Sequence, residues 1–149
     1  MGEGAFAKVY HALKKDTQEE FAIKVLNKKN LQACGKQKEA YNERNALLKL
    51  AHPSIVRLFW CFHDKENLYF VLELVDNGEL SNLMRRVGVL DLRTTSHYSA
   101  ELLLSLAYMH KQGFVHRDLK PRNILFDKYM RLRLIDFGAV TTWSPESAK

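Results

Sequence analysis

Apolar and polar positions along the first half of the chain alternate between short apolar runs and polar breaks. Phe21-Ala22-Ile23-Lys24-Val25-Leu26 is an apolar run interrupted by one lysine, and it predicts a strand. Ala7–Leu13 also suits a strand, with Lys14–Glu19 as a polar turn between the two. The polar and basic stretch Asn27–Gln37 predicts a connection with a short helical turn. From Lys38 to Leu50 the pattern becomes helical: Leu47 and Leu50 fall three apart, and Glu43 lies one turn before Leu47. His52-Pro53 ends that helix, because proline disfavours helical backbone in the residue before it. Ile55–Phe62 and Leu68–Val75 predict two more strands, joined by a hairpin turn at Asp64-Lys65-Glu66-Asn67.

The second half is mostly helical. Ala100, Leu103, Leu104, Ala107 and Tyr108 recur at i, i+3, i+4, i+7 and i+8, which predicts one apolar helical face. Asp91 is the expected N-cap, and Gly113 the expected C-terminal cap after His110 and Lys111 in the last turn. Ile124–Phe126 and Leu132–Ile135 then predict short strands flanking a turn.

A chain of 149 residues is enough for one modest core. Its 46% apolar and 27% charged residues are ordinary for a soluble globular protein. No apolar run approaches the roughly 18 residues of a membrane span. Met1-Gly2-Glu3-Gly4 shows no basic-then-apolar signal segment, so a cytoplasmic or nuclear location is expected. The net charge of +6 divides evenly: residues 1–75 carry 12 basic and 9 acidic side chains, and residues 76–149 carry 11 and 8. Nucleic-acid binding would want a concentrated basic patch, so none is expected. Cys34 and Cys61 are too few and too isolated for a metal site or a disulfide framework.

The chemistry concentrates in two segments. His116-Arg117-Asp118-Leu119-Lys120-Pro121-Arg122-Asn123 reads H-R-D-L-K-P-x-N, and thirteen residues past Asn123 stands Asp136-Phe137-Gly138. Near the start, Gly2-x-Gly4-x-x-Ala7-x-Val9 is a glycine-rich stretch of the kind that lets backbone N–H groups approach phosphate. Lys24, inside an apolar strand, must find a partner or water, and Glu43 on the following helix is one candidate. Asn123 and Asp136 offer the hard oxygen ligands that magnesium prefers.

On these motifs the chain resembles the protein kinases, a family with an α+β, bilobal fold: a small lobe of antiparallel sheet plus one helix, and a helical large lobe. Residues 1–75 would form the small lobe and residues 76–149 the start of the large lobe. Lys120, two residues after Asp118, resembles the serine/threonine type. Leu68-Tyr69-Phe70-Val71-Leu72, Asp76-Asn77-Gly78-Glu79-Leu80 and Ser144-Pro145-Glu146-Ser147 resemble the AGC group, and within it the 3-phosphoinositide-dependent protein kinases.

The resemblance implies ATP and Mg2+ as cofactors and serine or threonine in protein substrates as phosphoryl acceptor. It implies that Lys24, paired with Glu43, holds the α- and β-phosphates, that Asp118 orients or deprotonates the acceptor hydroxyl, and that Lys120 neutralises the γ-phosphate. Asn123 and Asp136 would hold the metal. Gly2, Gly4 and Ala7 would cover the phosphates, and Val9, Ala22 and Leu125 would sandwich adenine. Leu72 would be the gatekeeper, Glu73, Leu74 and Val75 the hinge, and Glu79 the ribose contact. Leu47, Leu58, His116 and Phe137 match the family's stacked regulatory residues, and Arg117 would bind an activation-loop phosphate. Lys28, Gln32, Arg44, His63 and Leu68 would form a docking groove for a substrate's hydrophobic motif.

Two departures stand out. Ala7 replaces the third glycine, and Arg122 replaces a glutamate that often contacts basic residues of peptide substrates, which weakens any preference for such substrates. The chain also reads as truncated at both ends. Leu103, Leu104 and Ala107 are therefore expected to lack cover, and the chain alone to be weakly active at most. The competing reading is a non-catalytic ATP-binding or scaffold fragment, although Lys24, Asp118 and Asp136 are all retained. A dinucleotide-binding enzyme is disfavoured, because its glycine loop should open a helix whereas Ala7–Leu13 reads as a strand.

Overall fold

The computed structural model describes residues 7–143 and the backbone of Gly2–Glu3. Gly4 and the Ser144–Ser147 segment lie outside the described residues. The first part of the chain is an antiparallel sheet. It contains β1 (Gly2–Glu3), β2 (Ala7–Leu13), β3 (Glu20–Asn27), β4 (Leu58–His63) and β5 (Asn67–Glu73), in the order β1-β2-β3-β5-β4. The β4–β5 hairpin closes on Asp64, whose Oδ1 accepts the N–H groups of Glu66 and Asn67 at 2.7 Å each.

Two helices separate β3 from β4: α1 (Lys28–Ala33) and α2 (Gln37–Lys49). Ala40, Glu43, Ala46 and Leu47 are the buried positions of α2, and at helical spacing they form one face turned toward the sheet and core. That face carries Glu43 inward. The expected strand from Ile55 begins only at Leu58, because Ile55 and Val56 bridge instead to Leu134 of a later strand.

The second part contains α3 (Leu80–Val87) and α4 (Leu92–Lys111), followed by short strands. These are β6 (Phe114–Val115), β7 (Ile124–Phe126), β8 (Leu132–Leu134) and β9 (Thr141–Thr142), with a 3-10 turn at Pro121–Asn123. β7 pairs with β8, and β6 with β9. Asp91 caps α4 as expected, accepting the Thr94 N–H at 2.9 Å. Gly113 follows its end at φ +77°, in the left-handed region, and donates to the His110 carbonyl.

The apolar face read on α4 is left uncovered, as expected, and a neighbouring stripe of the helix packs instead. Tyr98, Leu102, Ser105 and Met109, at i, i+4, i+7 and i+11, face the interior, whereas Leu103 and Leu104 stay 65% and 64% exposed. Ser105 is fully buried with its hydroxyl donated to the Leu102 carbonyl at 2.7 Å. A small, satisfied side chain lets the helix approach the core, so close packing selects this stripe over the more apolar one. Tyr108 belongs to both readings, and its hydroxyl accepts the Ala51 N–H.

The main core runs through both parts. It includes Leu47, Ile55, Val56, Val75, Met109, Phe126, Leu134 and Phe137, and a smaller cluster under the sheet holds Leu26, Leu31, Ala40 and Phe70. Leu58 and Leu72 pack against both clusters and join them. Among the described residues, no helix is long and apolar enough to cross a membrane.

Candidate active site

A cavity of about 480 Å³ opens between the sheet and the helical part. Side chains alternate along β3, and Ala22 and Lys24 are the two that reach this cavity. Val9 lies across from Lys24 in the β2–β3 register, and Leu72 across from Ala22 in the β3–β5 register. Ala7, Val9, Ala22, Leu72, Glu73, Val75, Glu79 and Leu125 all line the cavity, with Lys24, Glu43, Asn123 and Asp136 at its polar end. Gly2 enters only through its backbone pairing with Val9.

Lys24 Nζ donates to Glu43 Oε1 at 2.6 Å and to Asp136 Oδ1 at 3.3 Å. Burial alone would push the Lys24 ammonium down, but the charges of Glu43 and Asp136 more than offset it and hold the group above the ordinary lysine value. It is therefore a fixed cation at neutral pH, aimed into a cleft.

Asp118, Lys120 and Asn123 form a second cluster. Lys120 Nζ donates to Asp118 Oδ2 at 2.6 Å, and Asn123 Nδ2 donates to Asp118 Oδ2 at 3.0 Å and to the Asp118 carbonyl at 2.8 Å. The hydrogen bond from Lys120, helped by that from Asn123 and by the Lys120 charge, holds the Asp118 carboxyl below its ordinary value against the opposing effect of burial. Asp118 lines an adjoining cavity of about 280 Å³ that shares Ala7, Lys24, Glu43 and Asp136 with the first, so the clusters face one cleft. Lys120 is exposed beside Asp118 and lines neither cavity.

The two motifs are tied together by backbone. Ile135 N donates to the Asn123 carbonyl at 2.9 Å, and His116 Nε2 donates to the Ile135 carbonyl at 3.1 Å. Phe137 is fully buried with its ring edge-on to His116 at 5.1 Å, in the same core as Leu47 and Leu58. Asp136 and Arg117 both hold left-handed backbone, at φ +59° and +64°, which non-glycine residues adopt only when their surroundings enforce it. Phe137's burial anchors the first. Arg117 Nε spans to the Ala139 carbonyl at 2.7 Å and anchors the second.

His116 is a neutral histidine by geometry. Its Nδ1 accepts the Asp118 N–H at 3.3 Å while Nε2 donates to Ile135, an arrangement that a second ring proton would break. Burial pushes its pKa down, only partly offset by the Ile135 carbonyl and the Asp136 and Asp118 charges. The unfolded chain therefore takes up a proton near the ordinary histidine value that the folded chain refuses. Stability falls as pH drops below about 6.5. The melting temperature is expected to decrease between pH 7 and pH 5.5, with a shallower slope in His116→Gln; His52, whose pKa burial also lowers, supplies the remainder. An identical slope in the variant would contradict this assignment.

Several lining residues were not expected. Asp76, Gly78 and Asn82 come from α3 and the segment before it. Leu80, Leu83, Met84 and Val87 recur at i, i+3, i+4 and i+7, a helical signal present in the sequence. On the outer side of the small lobe, Lys28, Leu31, Tyr41, Arg44 and Leu68 line a groove of about 270 Å³. Of the five residues expected there, Lys28, Arg44 and Leu68 take part. Gln32 does not line it, its place being taken by Leu31, and His63 sits behind Lys28 with Nδ1 3.3 Å from Nζ.

The protein kinase domain model matches residues 1–149. This chain belongs to the protein kinase domain family. It is 41% identical over 147 residues to 3-phosphoinositide-dependent protein kinase 1 of Homo sapiens, an alignment covering 99% of this chain and 26% of that protein. It is 44% identical over 147 residues to serine/threonine-protein kinase ppk21 of Schizosaccharomyces pombe, covering 98% and 27%. With serine/threonine-protein kinase PKH3 of Saccharomyces cerevisiae the identity is 41% over 149 residues, covering 97% and 17%. The chain thus spans between about a sixth and about a quarter of the length of these relatives. Protein kinases in general use ATP and Mg2+ and act on protein substrates. The donor set fits these ligands: one fixed cation, one carboxylate and one amide converge on the cleft, and magnesium completes its shell with phosphate oxygens and water. Among the described residues, no group of three His, Cys, Asp or Glu could hold a metal on its own.

Proposed function

We propose that this chain is the ATP-binding and catalytic portion of a serine/threonine protein kinase, transferring the γ-phosphoryl group of ATP to a hydroxyl of a protein substrate. The observation that carries this reading is Lys24 held between Glu43 and Asp136 in a cleft that also receives Asp118 and Asn123. The apolar end, between Ala22, Val9 and Leu125, suits a flat purine, and Lys24 then lies where the α- and β-phosphates would run. Asn123 and Asp136 supply oxygens to magnesium, which when bound neutralises charge on the phosphate oxygens. Asp118, held acidic by Lys120 and Asn123, acts first as an acceptor that aims the attacking hydroxyl. Lys120, exposed and paired with Asp118, would neutralise the γ-phosphate.

The outer groove, with Lys28 and Arg44 beside Leu31 and Leu68, supports docking of a hydrophobic and anionic substrate segment. We place the protein in the cytoplasm or nucleus, where ATP and protein substrates are available.

Transfer of labelled phosphate from ATP to serine- and threonine-containing peptides tests the activity. The same assay tests the charge reversal at Arg122, an exposed residue four positions past Asp118. Arg122→Glu is expected to shift relative kcat/KM toward peptides carrying arginine near the acceptor by about tenfold, the worth of one exposed-to-partly-buried charge contact. Unchanged preference would remove Arg122 from substrate selection. Absence of transfer to any peptide would overturn the catalytic reading.

A further inference from the structure

Arg133 stands in the middle of β8 between Leu132 and Leu134, and is itself only 9% exposed. An arginine so placed must be paired. Its Nε donates to Glu73 Oε1 at 2.9 Å, Nη2 lies 3.1 Å from Asp127 Oδ2, and Nη1 donates to the Leu132 carbonyl at 3.1 Å. Asp127 is shared: Arg131 Nη2 reaches the same Oδ2 at 2.9 Å, and Oδ1 accepts the Tyr129 and Arg131 N–H groups. The second oxygen of Glu73 accepts the Arg57 N–H at 3.3 Å. Two cations and two carboxylates therefore close a balanced cluster behind the cleft.

The position of this cluster matters more than its charge. Glu73 ends β5 and opens the 73–75 linker that lines the cavity. In the β7–β8 hairpin, Arg133 is the cross-strand partner of Leu125, which lies on another wall of the same cavity. One planar guanidinium thus fastens the linker to the hairpin, its three nitrogens each serving a different acceptor in fixed directions that a single ammonium does not reproduce.

We infer that Arg133 is a positioning residue for nucleotide binding, which through Glu73 and Asp127 fixes the backbone of residues 73–75 relative to Leu125. The inference rests on the nucleotide reading above. It concerns the apolar end of the cleft, since Lys24 pairs with Glu43 and Asp136 whereas Arg133 pairs with Glu73 and Asp127. Loss of Arg133 should therefore weaken what binds between the linker and Leu125 and spare what binds at Lys24.

The test measures adenosine, ATP and inorganic tripolyphosphate binding, each with magnesium, together with amide exchange at residues 73–75 and the thermal melt. Wild type, Arg133→Gln and Arg133→Lys are compared. In Arg133→Gln, adenosine and ATP are expected to weaken by about tenfold, the scale of a modest misplacement of binding groups. Tripolyphosphate should stay within about twofold, and amide exchange at 73–75 should accelerate. Arg133→Lys should fall between. Adenosine and tripolyphosphate weakening together, or a lowered melt with neither affinity nor exchange changed, would overturn the inference and leave Arg133 a stabilising residue only. If Arg133→Gln does not fold, Asp127→Asn is the second variant, with the same expected split. If the wild type binds neither adenosine nor ATP, the nucleotide reading fails, and unchanged exchange at 73–75 would then sink the linker role as well.

Discussion

Replacing Lys24 by methionine is expected to remove ATP binding and lower the melting temperature, and pairing it with Glu43→Leu is expected to restore the melt alone. Lys24 and Glu43 are 13% and 4% exposed at the side chain and 2.6 Å apart. Removing one partner of such a pair leaves a buried carboxylate unpaired, at a cost of about 3–5 kcal/mol, whereas replacing both by apolar groups is often neutral. The two variants thus separate folding from chemistry. Phosphoryl transfer should fall by at least about a hundredfold in both, since one charge-stabilising donor in a dry site is worth about 2.7–4 kcal/mol. Denaturant melts and calorimetric titration of ATP read the two effects. A double variant that still binds ATP would show that Lys24 is structural.

Phe137→Ala is expected to cost about 3–5 kcal/mol, among the largest effects of any single truncation here. Phe137 is fully buried between Leu47, Val140 and His116, where a cavity cannot collapse without moving α2 or the His116 loop. The same change is expected to loosen Asp136, the neighbouring residue, whose backbone sits in the left-handed region at φ +59°. Magnesium-dependent ATP affinity should therefore fall further than the melt alone accounts for. Phe137→Leu, which keeps most of the volume, should lose less than half as much of each. A melt shifted by only a few tenths of a kcal/mol would mean that the ring is not the anchor.

Much of the sheet was legible because its strands are apolar runs broken by turn residues, and Asp64 and the Lys14–Glu19 turn fall where the pattern breaks. Helical spacing placed Glu43 on the same buried face as Leu47, turned toward the sheet that carries Lys24. The uncovered apolar face of α4 at Leu103 and Leu104 was legible, whereas the packed stripe through Ser105 was not, because a serine gives no hydrophobic signal. β6 and β9 were not expected: each is two residues long, and Phe114 pairs with Thr142 far along the chain, so neither carries a periodicity. Arg133 was invisible for a related reason. An arginine in a three-residue strand reads as surface until Glu73 and Asp127 are seen beside it.

The same limits explain the candidate site. The residues of the two long motifs are adjacent in sequence, so their chemistry was readable. The link between them, Ile135 N to the Asn123 carbonyl with His116 above it, is a backbone arrangement that no residue type announces. Asp76, Gly78 and Asn82 reach the cleft only because α3 starts where it does.

The most direct test of the central claim is equilibrium binding of ATP to the purified 149-residue chain, with and without magnesium, beside Asp136→Asn. The account predicts saturable binding that tightens with magnesium in the wild type and loses that dependence in the variant, because in the proposed reading Asp136 would supply one of the two metal oxygens. Binding that is indifferent to magnesium, or equally magnesium-dependent in Asp136→Asn, would contradict it.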